Sequence, residues 1–151
     1  MRTAQTACHT GSQPGAGARV LLVEDDPEQC EMMSARLRSD GYSVFEQHQG
    51  DVVLAQMTSL TEDSWPYEGV DLLVLDLWLP GSGGLDVLFE LRHAGWTLPV
   101  VLMTGNASSA VVEEAAHYGV PLLRKPFTLD KLSETALATL LHRPIDPDGH
   151  G

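Results

Sequence analysis

Val70-Asp71-Leu72-Leu73-Val74-Leu75-Asp76-Leu77-Trp78-Leu79-Pro80-Gly81 decides the fold. Its apolar run has strand length and no alternation with polar residues, the pattern of a strand buried on both faces. The strand ends at Asp76, and Leu79-Pro80-Gly81-Ser82-Gly83-Gly84 reads as a loop. A buried strand that delivers a carboxylate into a loop raises two questions. One is what covers its faces; the other is what meets Asp76.

The neighbouring segments answer the first. Arg19-Val20-Leu21-Leu22-Val23 is a second buried strand, stopped by Glu24-Asp25-Asp26-Pro27. There Asp26 can cap a helix whose first position is Pro27. Cys30, Met33 and Leu37 give that helix one apolar stripe, and Gly41 sits where a C-terminal cap belongs. The pattern then predicts a strand over 42–45, a helix from Asp51 to about Leu60, and, after Asp76, a helix carrying Leu85, Leu88 and Phe89 that Gly95 can end. A strand over 99–103 follows, then a helix capped by Ser108 or Ser109 and ended by Gly119. A strand over 120–123 leads into Lys125-Pro126-Phe127. Thr128 caps a last helix, with Leu129, Leu132, Leu137, Leu140 and Leu141 as its apolar face.

Five strands alternating with five helices predict an α/β fold, a doubly wound, mostly parallel sheet with helices on both faces. Right-handed crossovers put every strand's C-terminal end on one edge, where such sheets bind ligands. With 151 residues there is room for one such domain and little more. We expect it over residues 19–142, between disordered tails at 1–18 and 143–151 that carry too little apolar surface to offset their ordering entropy.

Composition narrows the function. A formal net charge of −12, from 21 acidic and 9 basic residues, argues against direct nucleic-acid binding, which relies on clustered Lys and Arg. Cys8 and Cys30 have neither metal-ligand nor CxxC spacing, so a reducing, cytoplasmic setting is expected. No apolar run approaches the roughly 20 residues that span a bilayer, and no h-region of a signal peptide is present, so no membrane insertion is expected.

The strand ends carry the chemistry. The first delivers Glu24, Asp25 and Asp26, the third Asp76, the fourth Thr104 and the fifth Lys125. Taken singly, each has an ordinary explanation: a helix cap, a strand-end hydroxyl, a surface lysine. Asp26 keeps its explanation, because Pro27 follows it directly. His48, His93, His117 and His142 are scattered over helices and loops and are read as surface residues, and Asp71 as a residue at the opposite end of the sheet. The others gain weight jointly. Converging carboxylates stay ionised together only beside a cation, and a small set of hard oxygen ligands suits Mg²⁺. Asp76 could then attack phosphorus as a nucleophile, with Lys125 neutralising one phosphoryl oxygen and Thr104 donating a hydrogen bond to another.

Val20-Leu-Leu-Val-Glu-Asp-Asp-Pro27, the run from Asp71 to Gly81, Pro99-Val-Val-Leu-Met-Thr-Gly105 and Lys125-Pro-Phe127 together resemble the receiver domains of two-component response regulators, the CheY-like superfamily. The resemblance implies a (βα)₅ flavodoxin-like sheet of order 2-1-3-4-5 and phosphorylation of Asp76 by the phosphohistidine of a sensor histidine kinase or histidine phosphotransfer protein. It further implies Asp25 as a direct Mg²⁺ ligand, Glu24 acting through water, and the Trp78 carbonyl as another ligand. Thr104 would be the switch hydroxyl, Lys125 the family lysine, and the Lys125-Pro126 peptide cis. Such a domain is a signalling module, which promotes only its own phosphorylation and dephosphorylation.

Some features depart from the family pattern. Leu122 stands where an aromatic residue usually swings inward, and 60–69, with Trp65 and Pro66, is a long connection. Trp78 is bulky enough to overhang the phosphoryl group and obstruct attacking water. No output domain follows residue 142, so a stand-alone receiver and a fragment of a longer chain are both open. Lys131 and Glu134 are too few charges to argue a dimer face, and at most a weak homodimer is expected. Two other readings compete. A haloacid-dehalogenase-type phosphatase also uses a strand-end Asp with Mg²⁺, but it needs a second Asp where this chain has Trp78. A degenerate receiver would serve only as an interaction module.

Overall fold

The computed structural model describes residues 17–59, 69–81 and 83–141. The tails, His142, Cys8, Ser82 and most of the 60–69 connection lie outside the described residues, although Gly17 and Ala18 of the expected first tail lie within them.

The elements alternate as the sequence predicts. They are β1 (Arg19–Val23), α1 (Pro27–Ser39), β2 (Ser43–Gln47), α2 (Gly50–Ser59), β3 (Leu72–Asp76), α3 (Gly84–His93), β4 (Val100–Thr104), α4 (Ser109–Tyr118), β5 (Leu122–Arg124) and α5 (Leu129–Leu141). All the pairings are parallel, and the sheet order is β2-β1-β3-β4-β5. The chain therefore has the doubly wound flavodoxin-like fold.

Local signals set the helix ends. Asp26, in extended conformation, accepts hydrogen bonds from the N–H groups of Glu28 and Gln29, and Pro27 opens α1. Ser108 caps α4 through the Val111 N–H, and Gly119 closes that helix at φ 68°, a left-handed position that glycine takes without strain. At the sheet's opposite end, Asp71 Oδ2 accepts the Arg19 N–H at 2.9 Å.

Strand alternation divides the core between the two faces. Leu21, Val23, Leu73, Leu75, Val100 and Leu102 pack with Val53, Val87, Leu88, Leu91 and Val111 of α2, α3 and α4. The residues that alternate with them, including Val20, Leu22, Leu72, Val74, Val101 and Met103, pack with Cys30, Met33 and Leu37 of α1 and Leu132 and Ala136 of α5. β3 and β4 are buried throughout, as central strands covered on both faces should be.

The sheet decides which helix residues are buried, and in the last helix this differs from the expected face. In α3 the buried stripe is Gly84, Val87, Leu88 and Leu91, while Phe89 is 51% exposed and stacks on His93. In α5, Leu132 and Ala136 are buried and Leu141 is 70% exposed. Both helices offer more apolar residues than one stripe holds, and the sheet selects among them.

The start of α3 sits directly against the end of β3. A Cβ on Gly84 would lie 2.5 Å from the Asp76 carbonyl oxygen and 2.9 Å from Leu77 Cα, both backbone atoms that cannot turn aside. Gly84→Ala should therefore cost about 1–3 kcal/mol of unfolding free energy in a denaturant titration. Gly105→Ala, where nothing lies within 4 Å, should change it by less than about 0.5 kcal/mol. Equal effects would contradict this close approach.

Candidate functional site

Four strand ends meet at the C-terminal edge. Beyond β1, the Glu24 N–H donates to the Gln47 carbonyl at 3.0 Å, so parallel pairing carries the chain to the edge before it turns into α1. Beyond β3, Leu77 N–H bonds the Met103 carbonyl at 2.7 Å, and Lys125 N–H bonds the Thr104 carbonyl at 2.7 Å. These backbone bonds hold Glu24, Asp76, Thr104 and Lys125 in one row across the sheet.

The structure brings the sequence-predicted residues together. Glu24, Asp25 and Asp76 each present a carboxylate oxygen within 4.8 Å of the others. Lys125 Nζ donates to Glu24 Oε1 at 2.9 Å and to Asp76 Oδ2 at 2.8 Å. The remaining oxygens are also engaged: Glu24 Oε2 accepts the Asp26 N–H at 3.1 Å, and Asp76 Oδ1 accepts the Trp78 N–H at 2.9 Å. Glu24, Asp76 and Thr104 are buried, whereas Asp25 is exposed. Asp26 is the cap of α1, and the Lys125-Pro126 peptide is cis.

Two buried carboxylates thus share one ammonium, and their charge is not balanced. Burial pushes Glu24 up to about 7 from its ordinary 4.5, and the neighbouring Asp76 adds to that rise. The Lys125 and Asp26 hydrogen bonds oppose it without cancelling it. Burial works against the Lys125 charge, yet its hydrogen bonds to Asp76 and Glu24 outweigh that cost and hold its pKa above the ordinary value. An all-oxygen donor set with surplus negative charge fits a hard divalent cation such as Mg²⁺. By contrast, burial pushes the Cys30 thiol up to about 11, which leaves it an inert core residue.

Some contacts were not legible beforehand. His48, read as a surface residue, is exposed, but its Nδ1 lies 2.9 Å from the Glu24 carbonyl oxygen. The Trp78 indole Nε1–H donates to Thr104 Oγ1 at 3.1 Å, reaching from the end of β3 to the end of β4. Neither has a sequence signal, because each depends on where a side chain points across neighbouring strands. Leu122 is half-buried and packs against the core beside α2, α3 and α4.

Comparison with known proteins places this geometry. Residues 20–137 match the family described as response regulator receiver domain. The chain is 38% identical over 115 residues to the response regulator protein PmrA of Pseudomonas aeruginosa, which covers 76% of this chain and 48% of that protein. It spans about half the length of this and other curated relatives it matches. The receiver domain of a Francisella response regulator superposes with a TM-score of 0.71 at 20% identity, covering 85% of this chain and 100% of that one, a likeness of fold alone. The response regulator protein TrrA of Thermotoga maritima, solved in complex with Mg²⁺-BeF, superposes with a TM-score of 0.64 at 26% identity over 81% of this chain and 98% of that one. The matched span runs from the first strand into the last helix and contains every residue of the acidic cluster, so the chain belongs to the family of response regulator receiver domains.

Proposed function

We propose that this receiver is the phosphoacceptor of a two-component phosphorelay and that Asp76 is the residue phosphorylated. One observation carries the reading: a buried Asp76 carboxylate bonded at 2.8 Å to Lys125 and gathered with Glu24 and Asp25 within 4.8 Å. The donor is a phosphohistidine on a histidine kinase or histidine phosphotransfer protein. An Asp76 oxygen forms the new O–P bond as the P–N bond breaks, and the electron pair leaves on the imidazole nitrogen, which takes up a proton.

The chain's part is positioning and charge. Lys125 moves its ammonium from Asp76 to a phosphoryl oxygen, and Thr104 donates its hydroxyl proton to another. Asp25 and Asp76, with the Trp78 carbonyl and Glu24 acting through water, would hold Mg²⁺. When bound, the ion neutralises charge on the transferring group. We take residues 19–142 as the receiver unit between tails at 1–18 and 143–151, working in the cytoplasm. The only chemistry assigned to it is its own phosphorylation and dephosphorylation. Direct nucleic-acid contact is not part of this reading, given the net charge of −12. No helix among the described residues is long and apolar enough to cross a membrane, and no membrane insertion is assigned.

Acetyl phosphate with Mg²⁺ should add one phosphoryl mass to the wild-type chain and none to Asp76→Asn. Turnover of phosphate esters would instead support a phosphatase, and no modification by any donor would leave an interaction module.

Glu24 gives a pH test. With a folded-state pKa of about 7 against 4.5, it binds its proton more readily in the folded chain. Its contribution to stability is fully present below pH 4.5 and is lost as pH rises through 7. The metal-free chain should lose thermal stability across that window relative to Glu24→Gln. Mg²⁺ favours the ionised carboxylate, so its stabilising effect should grow over the same window. An Mg²⁺-induced Tm gain independent of pH would contradict the assignment.

Trp78 should slow hydrolysis of the acyl phosphate by obstructing water. Trp78→Asn is expected to lose its phosphoryl group faster than wild type, and equal rates would refute that role.

A further inference from the structure

Thr104 is fully buried at the end of β4, and its hydroxyl carries a full set of partners. Oγ1 donates to the Asn106 carbonyl at 3.2 Å and accepts the Asn106 N–H at 3.0 Å. It also accepts the Trp78 indole N–H at 3.1 Å. A hydroxyl has one proton and two lone pairs, so nothing remains to offer Asp76 in this arrangement.

The third partner is unusual in its setting. Trp78 is 58% exposed, so water could satisfy its indole N–H, yet the ring directs that N–H inward to a buried hydroxyl. The backbone N–H of the same residue holds Asp76 Oδ1 at 2.9 Å. Trp78 thus touches the carboxylate through its main chain and the hydroxyl through its side chain.

We propose that the Trp78 indole is a latch on Thr104. It holds the hydroxyl in the orientation that gives its proton to Asn106, and it opens when a phosphoryl group on Asp76 claims that proton. Turning the hydroxyl re-aims its lone pairs, breaks the indole bond and gives the Nε1–H to water, while the ring stays beside the phosphoryl group at the start of the β3–α3 loop. Trp78 is a positioning residue in this scheme, acting on the phosphoryl group through Thr104. The opening step rests on the phosphoacceptor reading, but the closed latch does not.

The test is ¹H–¹⁵N NMR of the full chain, with the Trp78 indole resonance assigned by its loss in Trp78→Phe. Without Mg²⁺ or a phosphoryl analogue, Thr104→Val should speed exchange of that indole proton with water roughly fivefold, the worth of one neutral hydrogen bond. Equal exchange in both proteins overturns the latch. Adding Mg²⁺ and beryllofluoride to wild type should raise exchange to the Thr104→Val level. If resonances around Asp76 move while the indole stays protected, the coupling is refuted and the phosphoacceptor reading stands. If no resonance responds, that reading fails and the opening step with it, while the ligand-free comparison still decides whether the latch exists.

A second measurement does not depend on the Thr104 variant. Trp78→Phe keeps an aromatic ring but removes the donor, and should bind beryllofluoride roughly fivefold more tightly than wild type. Trp78→Gln, whose amide nitrogen lies the same number of bonds from Cα, should return towards the wild-type affinity. Unchanged affinity in Trp78→Phe, or equal affinity in the Phe and Gln variants, counts against the latch.

Discussion

One ammonium serving two buried carboxylates is the constraint on which the site depends. Lys125 bridges Glu24 and Asp76 at 2.9 and 2.8 Å, supplying the charged hydrogen-bond partner that two carboxylates drawn out of water require. The bridge ties the ends of β1, β3 and β5 together across the sheet. It also leaves the cluster negative, because Asp25 stands close by. Such a cluster is short of positive charge, the electrostatic condition that suits a divalent cation.

The parallel sheet makes such a concentration of charge feasible. Every strand runs the same way, so the C-terminal ends share one edge, and the apolar strand bodies remain wholly in the core. The polar residues begin where strand pairing gives way to loops. Asp76 is held there from two directions, by the backbone bond from Leu77 to Met103 and by the close seat of Gly84 on its carbonyl. Main-chain contacts thus fix the Asp76 backbone, while its two carboxylate oxygens are engaged by Lys125 and the Trp78 N–H.

How much of this was readable from residues alone follows the physics of each feature. The strands could be read because full burial on both faces demands unbroken apolar runs, as in Leu72-Leu73-Val74-Leu75. The α1 start could be read because Asp26-Pro27 combines a capping side chain with a fixed φ. The exposed end of the last helix could not be read, because that helix carries more leucines than one stripe holds, and only the sheet's position buries Leu132 and Ala136 while leaving Leu141 outside. The acidic cluster was legible because topology alone sends those strand ends to one edge. The Trp78–Thr104 bond and the His48 approach to Glu24 were not, since both depend on side-chain directions between strands far apart in sequence.

The central claim is that phosphoryl transfer ends on the Asp76 carboxylate. Borohydride reduces an acyl phosphate to an alcohol, which would turn the phosphorylated aspartate into homoserine that peptide mass mapping can locate. After exposure to a phosphohistidine donor with Mg²⁺, the account predicts homoserine at position 76 and at no other acidic residue. Reduction products at Glu24 or Asp25, or an unreduced chain despite phosphoryl loss from the donor, would contradict it.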